Sequence, residues 1–232
     1  MKIFLIILCF LSSCVVKKHS ILDDGTTKKF LTGQFEYIQD SGFVKVDSNL
    51  TVQDVYLQKE VYAKYLEMYN HAQKNGINLV LLSGMRNFDH QVKVWNRKWN
   101  NALSPKNATK QSLEFVAMPM ASRHHWGTDL DFWDISNNLE KGENEYKWLT
   151  QNANKYGFYQ VYTSKEEEPN RTGYKEEKWH WSYIPLACEY LQEYNKQVTI
   201  QDITGFQGGE FAKELNIIKN YVNGVTDKAK NC

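Results

Sequence analysis

Residues 122–131 read Ser-Arg-His-His-Trp-Gly-Thr-Asp-Leu-Asp, and this stretch predicts the local fold that brings polar side chains together. The alternation over residues 128–133 predicts a β-strand that contains Asp131. Gly127 directly precedes that strand and permits a turn. A turn followed by a strand lets the side chains of His124 and Asp131, seven residues apart, converge on one point.

A second cluster, about fifty residues further along, completes the set. Residues 177–181 read Glu-Lys-Trp-His-Trp. We predict that His180 lies on a strand, with Trp179 and Trp181 facing the opposite side, because side chains alternate across a strand. Two imidazoles and a carboxylate suit a catalytic zinc ion, which commonly takes three protein ligands and leaves one position for water. Glu177 can reach that water and act as a general base in hydrolysis.

Neighbouring residues leave alternatives for the ligand set. His125 follows His124 directly, but consecutive side chains on an extended segment point to opposite sides, so both are not expected to bind one ion. Asp129 and Asp131 share one side of the predicted strand, and spacing leaves both as candidates. Asp134 is a further carboxylate nearby that we assign to a turn. Spacing alone leaves open whether a metal binds at all.

Composition bounds the class of protein. The chain has 232 residues, enough for one domain with a sizeable core. Hydrophobic residues make up 42% and charged residues 24%, as in an ordinary globular protein. The net charge of +1 gives no indication of nucleic-acid binding. An aromatic content of 14% suits a groove for an extended polar ligand, although aromatic side chains also fill cores.

Local patterns predict an α+β domain. We predict helices over residues 52–74, 89–99, 145–156, 186–194 and 210–222. We predict strands over residues 77–82, 128–133, 158–162 and 178–183. Helices crowd both ends of the chain, so we expect a small, mainly antiparallel sheet with flanking helices. The domain is expected to cover residues 30–200, followed by a C-terminal helical extension over 201–232.

The N-terminus carries the pattern of an export signal. Lys2 precedes an apolar run over residues 3–11 that is too short to span a bilayer. Small residues then lead to Cys14, and this resembles a bacterial lipobox. We expect residues 1–14 to be a lipoprotein signal with Cys14 as the lipidated residue, the alternative being a plain cleaved signal peptide. We expect residues 15–29 to be a tether between the domain and its membrane anchor. The anchored protein would lie in the cell envelope, in the periplasm or at the outer surface.

Two cysteines remain after such processing. Cys188 and Cys232 could pair in an oxidising exported compartment. The sequence does not give their separation, so the pairing stays open. Neither has the CxxC spacing of a zinc–thiolate site.

The two clusters resemble the signature of the VanY-type D-alanyl-D-alanine carboxypeptidases, which are zinc peptidases of the bacterial cell wall. The superfamily also includes the hedgehog signalling domain and lysostaphin-like peptidases. The family motifs are Ser-x-His-x-x-Gly-x-x-x-Asp and Glu-x-Trp-His, usually followed by an aromatic residue. They are matched here by Ser122, His124, Gly127, Asp131, Glu177, Trp179, His180 and Trp181.

The resemblance implies a role for each of these polar residues. It implies one zinc ion on His124, Asp131 and His180, with Glu177 as the catalytic base. It favours Asp131 over Asp129 as the ligand. Asp129 departs from the pattern, because many relatives carry a small residue such as Ala there. We expect it to touch the ligands from behind or to alter the pocket.

A third segment is similar to the same family. Residues 83–88 read Ser-Gly-Met-Arg-Asn-Phe, and family members carry a similar Ser-Gly-x-Arg segment at the end of a strand. The resemblance implies that Arg86 faces the active site, where a guanidinium can hold a carboxylate or a developing oxyanion. Substrate contacts are expected for Ser122, Gln91 and Ser83. A surface salt bridge is the alternative for Arg86.

Together these features predict a zinc-dependent carboxypeptidase that hydrolyses the terminal D-Ala from peptidoglycan stem peptides. An L,D-carboxypeptidase or a peptidoglycan endopeptidase with the same site is the nearest alternative. A non-catalytic, zinc-containing binding module is a remote one, because both Glu177 and Arg86 are present. We expect a monomer, tethered to a membrane through its lipid anchor, with no nucleic-acid partner.

Overall fold

The computed structural model describes residues 27–137 and 142–232. The predicted signal, Cys14 and residues 15–26 of the predicted tether lie outside the described residues. The strands are β1 (Phe43–Lys45), β2 (Tyr56–Gln58), β3 (Leu81–Ser83), β4 (Asp129–Phe132), β5 (Phe158–Gln160) and β6 (His180–Tyr183). The α-helices are α1 (Thr27–Leu31), α2 (Lys59–Lys74), α3 (Phe88–Lys98), α4 (Pro105–Ser112), α5 (Trp133–Asn137), α6 (Glu143–Asn152), α7 (Ile184–Gln197) and α8 (Asp227–Lys230).

A four-stranded sheet carries the residues of the two sequence clusters. Its strand order is β3-β4-β6-β5, and all neighbours are antiparallel. β4 and β6 pair with Asp131 opposite His180, and directly opposite residues project from the same face of a sheet. The predicted α+β class, with a small antiparallel sheet and flanking helices, is confirmed.

The two faces of this sheet differ in polarity because side chains alternate along its strands. Leu130 on β4 and Trp181 on β6 point into an apolar core that α2 covers. Asp129, Asp131 and His180 therefore lie on the opposite face, where they are also buried. No helix in the described part of the chain has the length and the apolar character needed to span a bilayer.

The helix predicted over residues 52–74 begins later than expected. Residues 56–58 form β2, which pairs with β1 as a separate two-stranded ribbon, so α2 starts only at Lys59. Its buried face matches the periodicity of the sequence and consists of Val61, Tyr65, Met68 and Ala72. The strand predicted over residues 77–82 is likewise reduced to β3.

The prediction of one helix over residues 210–222 is wrong. A 3₁₀ turn covers Gly209–Phe211 and a π-helical turn covers Ile218–Val222. Between them Asn216 has a φ of 50°, a left-handed conformation that interrupts a right-handed helix.

The C-terminal segment, residues 201–232, packs into the apolar core. Ile217, Val225 and Ala229 are fully buried in the same cluster as residues of α7. A disulfide between Cys188 on α7 and Cys232 fastens the end of the segment, with the two Cα atoms 5.5 Å apart. The pairing that the sequence left open is therefore present.

Candidate metal centre

Three side chains converge in the way a metal ion requires. His124 Nε2 lies 3.3 Å from His180 Nδ1 and 3.2 Å from Asp131 Oδ2. His180 Nδ1 lies 3.1 Å from Asp131 Oδ1. All three side chains are buried, and their ligand atoms lie within 4.8 Å of one another. The predicted ligand set therefore comes together in the fold.

Local structure explains why His124 can meet the two strands. It lies in a 3₁₀ turn, Arg123–Trp126, which ends at Gly127 in the left-handed conformation with a φ of 67°. A Cβ at Gly127 would also stand 2.5 Å from the ring of Phe43, so glycine is needed there for two reasons. The turn reverses the chain directly before β4 and leaves His124 beside Asp131.

Each imidazole is oriented through its other nitrogen. His124 Nδ1 donates to the carbonyl oxygen of Gly84 at 2.7 Å, and His180 Nε2 donates to Asp129 Oδ1 at 2.9 Å. The nitrogen that faces the cluster in each ring is then free to act as a ligand. Such partners fix the tautomer of metal-binding histidines.

Asp129 is not a competing ligand, because its carboxylate is fully engaged behind the cluster. Besides His180, it accepts hydrogen bonds from Arg123 Nε at 3.1 Å and Thr128 Oγ1 at 2.6 Å. Burial works to raise the pKa of Asp129, but Arg123 and His180 overcome it and hold that pKa below its ordinary range. The residue that departs from the family pattern thus anchors a predicted ligand.

The donor set fits zinc. Asp131 Oδ1 is buried and has no hydrogen-bond partner among the described residues. A buried carboxylate oxygen without a partner is costly unless a cation neutralises it. Two imidazole nitrogens and one carboxylate are also a ligand set typical of catalytic zinc, with a fourth position left open.

Glu177 stands beside this cluster without belonging to it. Its Oε2 is 3.7 Å from His180 Nδ1, and burial raises the pKa of Glu177 to about 8. The backbone fixes the residue from both sides: Glu177 N donates to Tyr162 O at 2.9 Å, and Glu177 O accepts from His180 N at 3.2 Å. The predicted division between ligands and a separate carboxylate is present in the geometry.

Arg86 reaches the same centre from the loop after β3. Its Nη2 is 3.9 Å from Asp131 Oδ2, and its side chain is 14% exposed. Its backbone N–H donates to His124 O at 3.0 Å, which ties the loop to the 3₁₀ turn. The surface salt bridge considered for Arg86 is therefore wrong, because the guanidinium faces the buried cluster.

His125 supports Arg86 from behind, a role that spacing did not reveal. Its Nδ1 donates to Arg86 O at 2.6 Å, and its Nε2 accepts from Met120 N at 3.0 Å. Burial lowers the pKa of His125 to about 3, so the ring is neutral. The two adjacent histidines point apart as expected, but they do so on a 3₁₀ turn rather than an extended segment.

A groove of about 600 Å³ leads to the cluster. Ser83 and Gln91, both predicted to contact substrate, line it. Gln91 also donates from Nε2 to the carbonyl oxygen of Ala117 at 2.8 Å, and Ala117 lines the groove as well. Ser122 is buried and lines a smaller cavity beside the cluster instead.

The groove has an aromatic wall, which the aromatic content suited but whose residues the sequence did not identify. Phe115 and Trp179 line it, with ring centroids 6.0 Å apart. Trp179 was expected to face away from His180, and this is wrong because β6 begins only at His180 and Trp179 lies in the preceding turn. Trp181 does face away and packs into the core.

The chain matches a known family over the region that builds this site. The model of the family VanY, described as D-alanyl-D-alanine carboxypeptidase, matches residues 54–186. A D-alanyl-D-alanine carboxypeptidase of Enterococcus faecium is 28% identical over 185 residues, which cover 79% of this chain and 52% of that protein. The putative carboxypeptidase YodJ of Bacillus subtilis (strain 168) is 33% identical over 148 residues, which cover 61% and 52%. This chain spans about half the length of these curated relatives.

Solved structures share the fold. VanYB in complex with D-alanine-D-alanine superposes with a TM-score of 0.53 at 18% identity, covering 71% of this chain and 93% of that one. A mutant of the vancomycin-resistance D,D-pentapeptidase VanY in complex with Zn(II) gives a TM-score of 0.54 at 18% identity, covering 72% and 92%. The four-stranded sheet and its helices therefore belong to a fold already seen in solved proteins.

Proposed function

The chain belongs to the VanY family of D-alanyl-D-alanine carboxypeptidases, and we propose that it is a zinc carboxypeptidase that removes the C-terminal D-Ala from peptidoglycan stem peptides. One observation carries this proposal. A buried His–Asp–His cluster has a separate carboxylate, Glu177, directly beside it. A purely structural metal site needs no such extra carboxylate, whereas hydrolysis needs a general base.

The chain's own residues divide the work of hydrolysis. When bound by His124, Asp131 and His180, zinc supplies Lewis-acid chemistry that polarises a carbonyl and lowers the pKa of water to about 7. Glu177 takes a proton from the attacking water on its carboxylate and passes it to the leaving amine. Arg86, whose guanidinium lies 3.9 Å from Asp131, stabilises negative charge on the carbonyl oxygen.

The choice of D,D-carboxypeptidase rests on the relatives. The Enterococcus faecium relative carries that activity in its name, and a structural neighbour was solved with D-alanine-D-alanine. An L,D-carboxypeptidase or an endopeptidase would use the same cluster and the same base. A non-catalytic binding module would have no use for Glu177 and Arg86 at these positions.

We further propose that the protein works at the bacterial cell envelope as a monomer anchored through a lipid on Cys14. This rests on the sequence pattern alone. Radiolabelled palmitate supplied to cells should label the wild-type chain and fail to label a Cys14→Ser variant. Equal labelling of both chains would exclude Cys14 as the lipidated residue.

Product masses test the proposed reaction. The zinc-loaded protein is incubated with purified muropeptides that end in a tetrapeptide or a pentapeptide, and the products are weighed. We expect the pentapeptide to lose the mass of one alanine residue and the tetrapeptide to stay intact. Loss from the tetrapeptide would identify L,D-activity, and cleavage of cross-linked dimers would identify an endopeptidase.

A further inference from the structure

A second concave surface lies in the C-terminal part of the fold. We call it the hollow; its volume is about 430 Å³, and none of its residues lines the groove at the metal cluster. All of them follow residue 186, where the match to the family ends, so the hydrolytic site does not account for this surface. The residues that line the hollow are Ile200, Lys213, Asn216, Ile218, Lys219 and Asn223.

The hollow combines apolar side chains with unpaired positive charge. Ile200 and Ile218 pack against the core and stay only partly buried, so each presents apolar surface to the hollow. Lys213 and Lys219 are exposed, and neither forms an ion pair within the described part of the chain. The adjacent acid, Glu214, is paired with another lysine. A ligand that matches this surface carries apolar side chains and negative charge.

The N-terminal end of the described chain lies beside the hollow. Lys28, in the first turn of α1, pairs with Asp202 at 2.8 Å. Asp202 belongs to the same 3₁₀ turn as Ile200, which lines the hollow. The chain that precedes α1 therefore enters the domain next to this surface.

The residues just before α1 have the composition that the hollow calls for. Residues 21–24 read Ile-Leu-Asp-Asp, so two apolar side chains are followed by two carboxylates. An extended chain advances at most about 3.6 Å per residue, which keeps Asp24 within about 14 Å of Lys28 and Ile21 within about 25 Å. These four residues are thus confined to the neighbourhood of the hollow.

We propose that residues 21–24 bind in the hollow. Their two apolar side chains cover the two isoleucines, and their two carboxylates pair with the two lysines. Exposed ion pairs contribute little by themselves. Attachment through the same chain, however, makes the binding intramolecular, with an effective concentration on the order of millimolar, so weak contacts are sufficient.

The shape of the hollow favours a peptide over a lipid surface. Apolar side chains that enter a membrane protrude from the protein and insert among the headgroups. Ile200 and Ile218 instead line a concave surface, which accepts side chains inserted from outside. A bilayer is therefore the poorer fit, and the experiment below separates the two occupants.

Binding of residues 21–24 has a consequence for the proposed lipid anchor on Cys14. The anchor is then connected to the hollow through residues 15–20 alone, which span at most about 22 Å. The face that carries the hollow is thereby held near the membrane. The interaction itself depends neither on the anchor nor on hydrolysis.

Photo-crosslinking in the full chain tests the site. Leu22 is replaced by the photoreactive p-benzoylphenylalanine, intact expressing cells are illuminated, and the cross-linked peptides are identified by mass spectrometry. We expect most of the product to join residue 22 to peptides that contain Ile200 or residues 213–223. Product that lies mainly on lipid, or mainly on other parts of the domain, would overturn the proposal.

Charge reversal assigns the contact to the carboxylates and the lysines. Asp23→Lys, Asp24→Lys changes only residues that precede the described domain. We expect it to lower the yield of these cross-links by about fivefold or more, since two attractive pairs become repulsive. Adding Lys213→Glu, Lys219→Glu should restore the yield. An unchanged yield in the first variant, or no recovery in a combined variant that retains the disulfide, would overturn the pairing.

A matched control separates the hollow from the overall charge of the protein. Lys93→Glu, Lys147→Glu gives the same change in net charge as Lys213→Glu, Lys219→Glu, but its lysines are exposed on α3 and α6 and do not line the hollow. We expect the control to keep the cross-links that the variant of the hollow loses. Equal losses in the two variants would exclude the hollow as the binding site.

Discussion

The metal centre and the C-terminal segment are both buried, yet the first consists of polar and charged side chains and the second mainly of apolar ones. The centre brings together Asp131, His124 and His180, and one buried carboxylate oxygen there has no hydrogen-bond partner within residues 27–137 and 142–232. The C-terminal segment contributes apolar side chains such as Ile217 and Val225, and a disulfide fastens its end. Burying the unpaired carboxylate oxygen of the first region costs free energy that a bound cation would offset. Burying the apolar side chains of the second region stabilises the fold without a ligand.

The two regions are connected through residues 171–174, which precede Glu177. Arg171 Nη1 donates to Gly224 O at 3.3 Å, and Thr172 Oγ1 donates to Asn220 O at 2.8 Å. The apolar segment therefore braces the loop that leads to the proposed base. Changes in the centre should alter chemistry with little effect on folding, and changes in the segment should do the reverse.

The largest effect is expected at Glu177. Glu177→Gln keeps the size of the side chain and removes the base, so we expect kcat to fall by about 10²–10⁴-fold. Zinc content should stay at one ion per chain, because Glu177 is not a ligand. Kinetics on a D-Ala-D-Ala peptide, together with metal analysis, measure both. Near-normal turnover in a zinc-loaded variant would show that another group is the base.

Removing the disulfide tests whether the C-terminal segment stabilises the fold. Its cysteines are separated by 44 positions, and opening a loop of this size in Cys232→Ser should lower the free energy of unfolding by about 2–4 kcal/mol. Zinc content in the folded state should not change. Denaturant titrations of the variant and of reduced wild-type protein should agree. A loss of zinc without a loss of stability would reverse the roles assigned to the two regions.

Asp129 lies behind the centre and orients a ligand without being one. We therefore expect its substitution to have a smaller effect than that of Glu177 and a larger one than that of a surface residue. Asp129→Asn removes the charge that orients His180 and pairs with Arg123, and we expect zinc affinity to fall by about 10–100-fold. Competition with a chelator measures this. Asp134→Asn is a control: Asp134 lies in helix α5, not in the turn to which the sequence assigned it, and its carboxylate is not part of the cluster. Equal affinities in the two variants would mean that Asp129 does not support the ligand.

The smallest effect is expected at the surface of the C-terminal segment. Asp202 pairs with Lys28 of α1 at 2.8 Å, and both side chains are partly exposed. Asp202→Asn should therefore lower the free energy of unfolding by about 1 kcal/mol or less, with activity unchanged. Thermal unfolding compared with Asp227→Asn, another exposed partner of a lysine, gives the scale. A loss as large as that of the disulfide variant would show that Asp202, which also accepts hydrogen bonds from Thr199, fastens the segment.

The metal centre could be predicted because its chemistry restricts the residues that can serve. The spacing of His124 and Asp131 around Gly127 already implied a turn and a strand. The resemblance then favoured Asp131 over Asp129 as the ligand. For Asp129 the sequence left two expectations, contact with a ligand from behind or a change in the pocket, and the pairing of β4 with β6 decides for the first because it brings Asp129 and His180 to one face.

The C-terminal segment could not be predicted in the same way. Its apolar residues have the spacing of a helix. Asn216, however, adopts a left-handed conformation, so the segment packs its apolar side chains into the core without forming a continuous helix. Packing accepts many residues of similar size, so it leaves a weak trace in the sequence.

The central claim is that His124, Asp131 and His180 hold a single zinc ion while Glu177 stays free to act on substrate. Anomalous diffraction from a crystal of the protein, recorded on both sides of the zinc absorption edge, tests it most directly. We expect one strong peak per chain, bounded by His124 Nε2, His180 Nδ1 and the carboxylate of Asp131, with Glu177 outside coordination distance. A zinc-replete crystal with no peak at this cluster, or with Glu177 among the ligands, would contradict it.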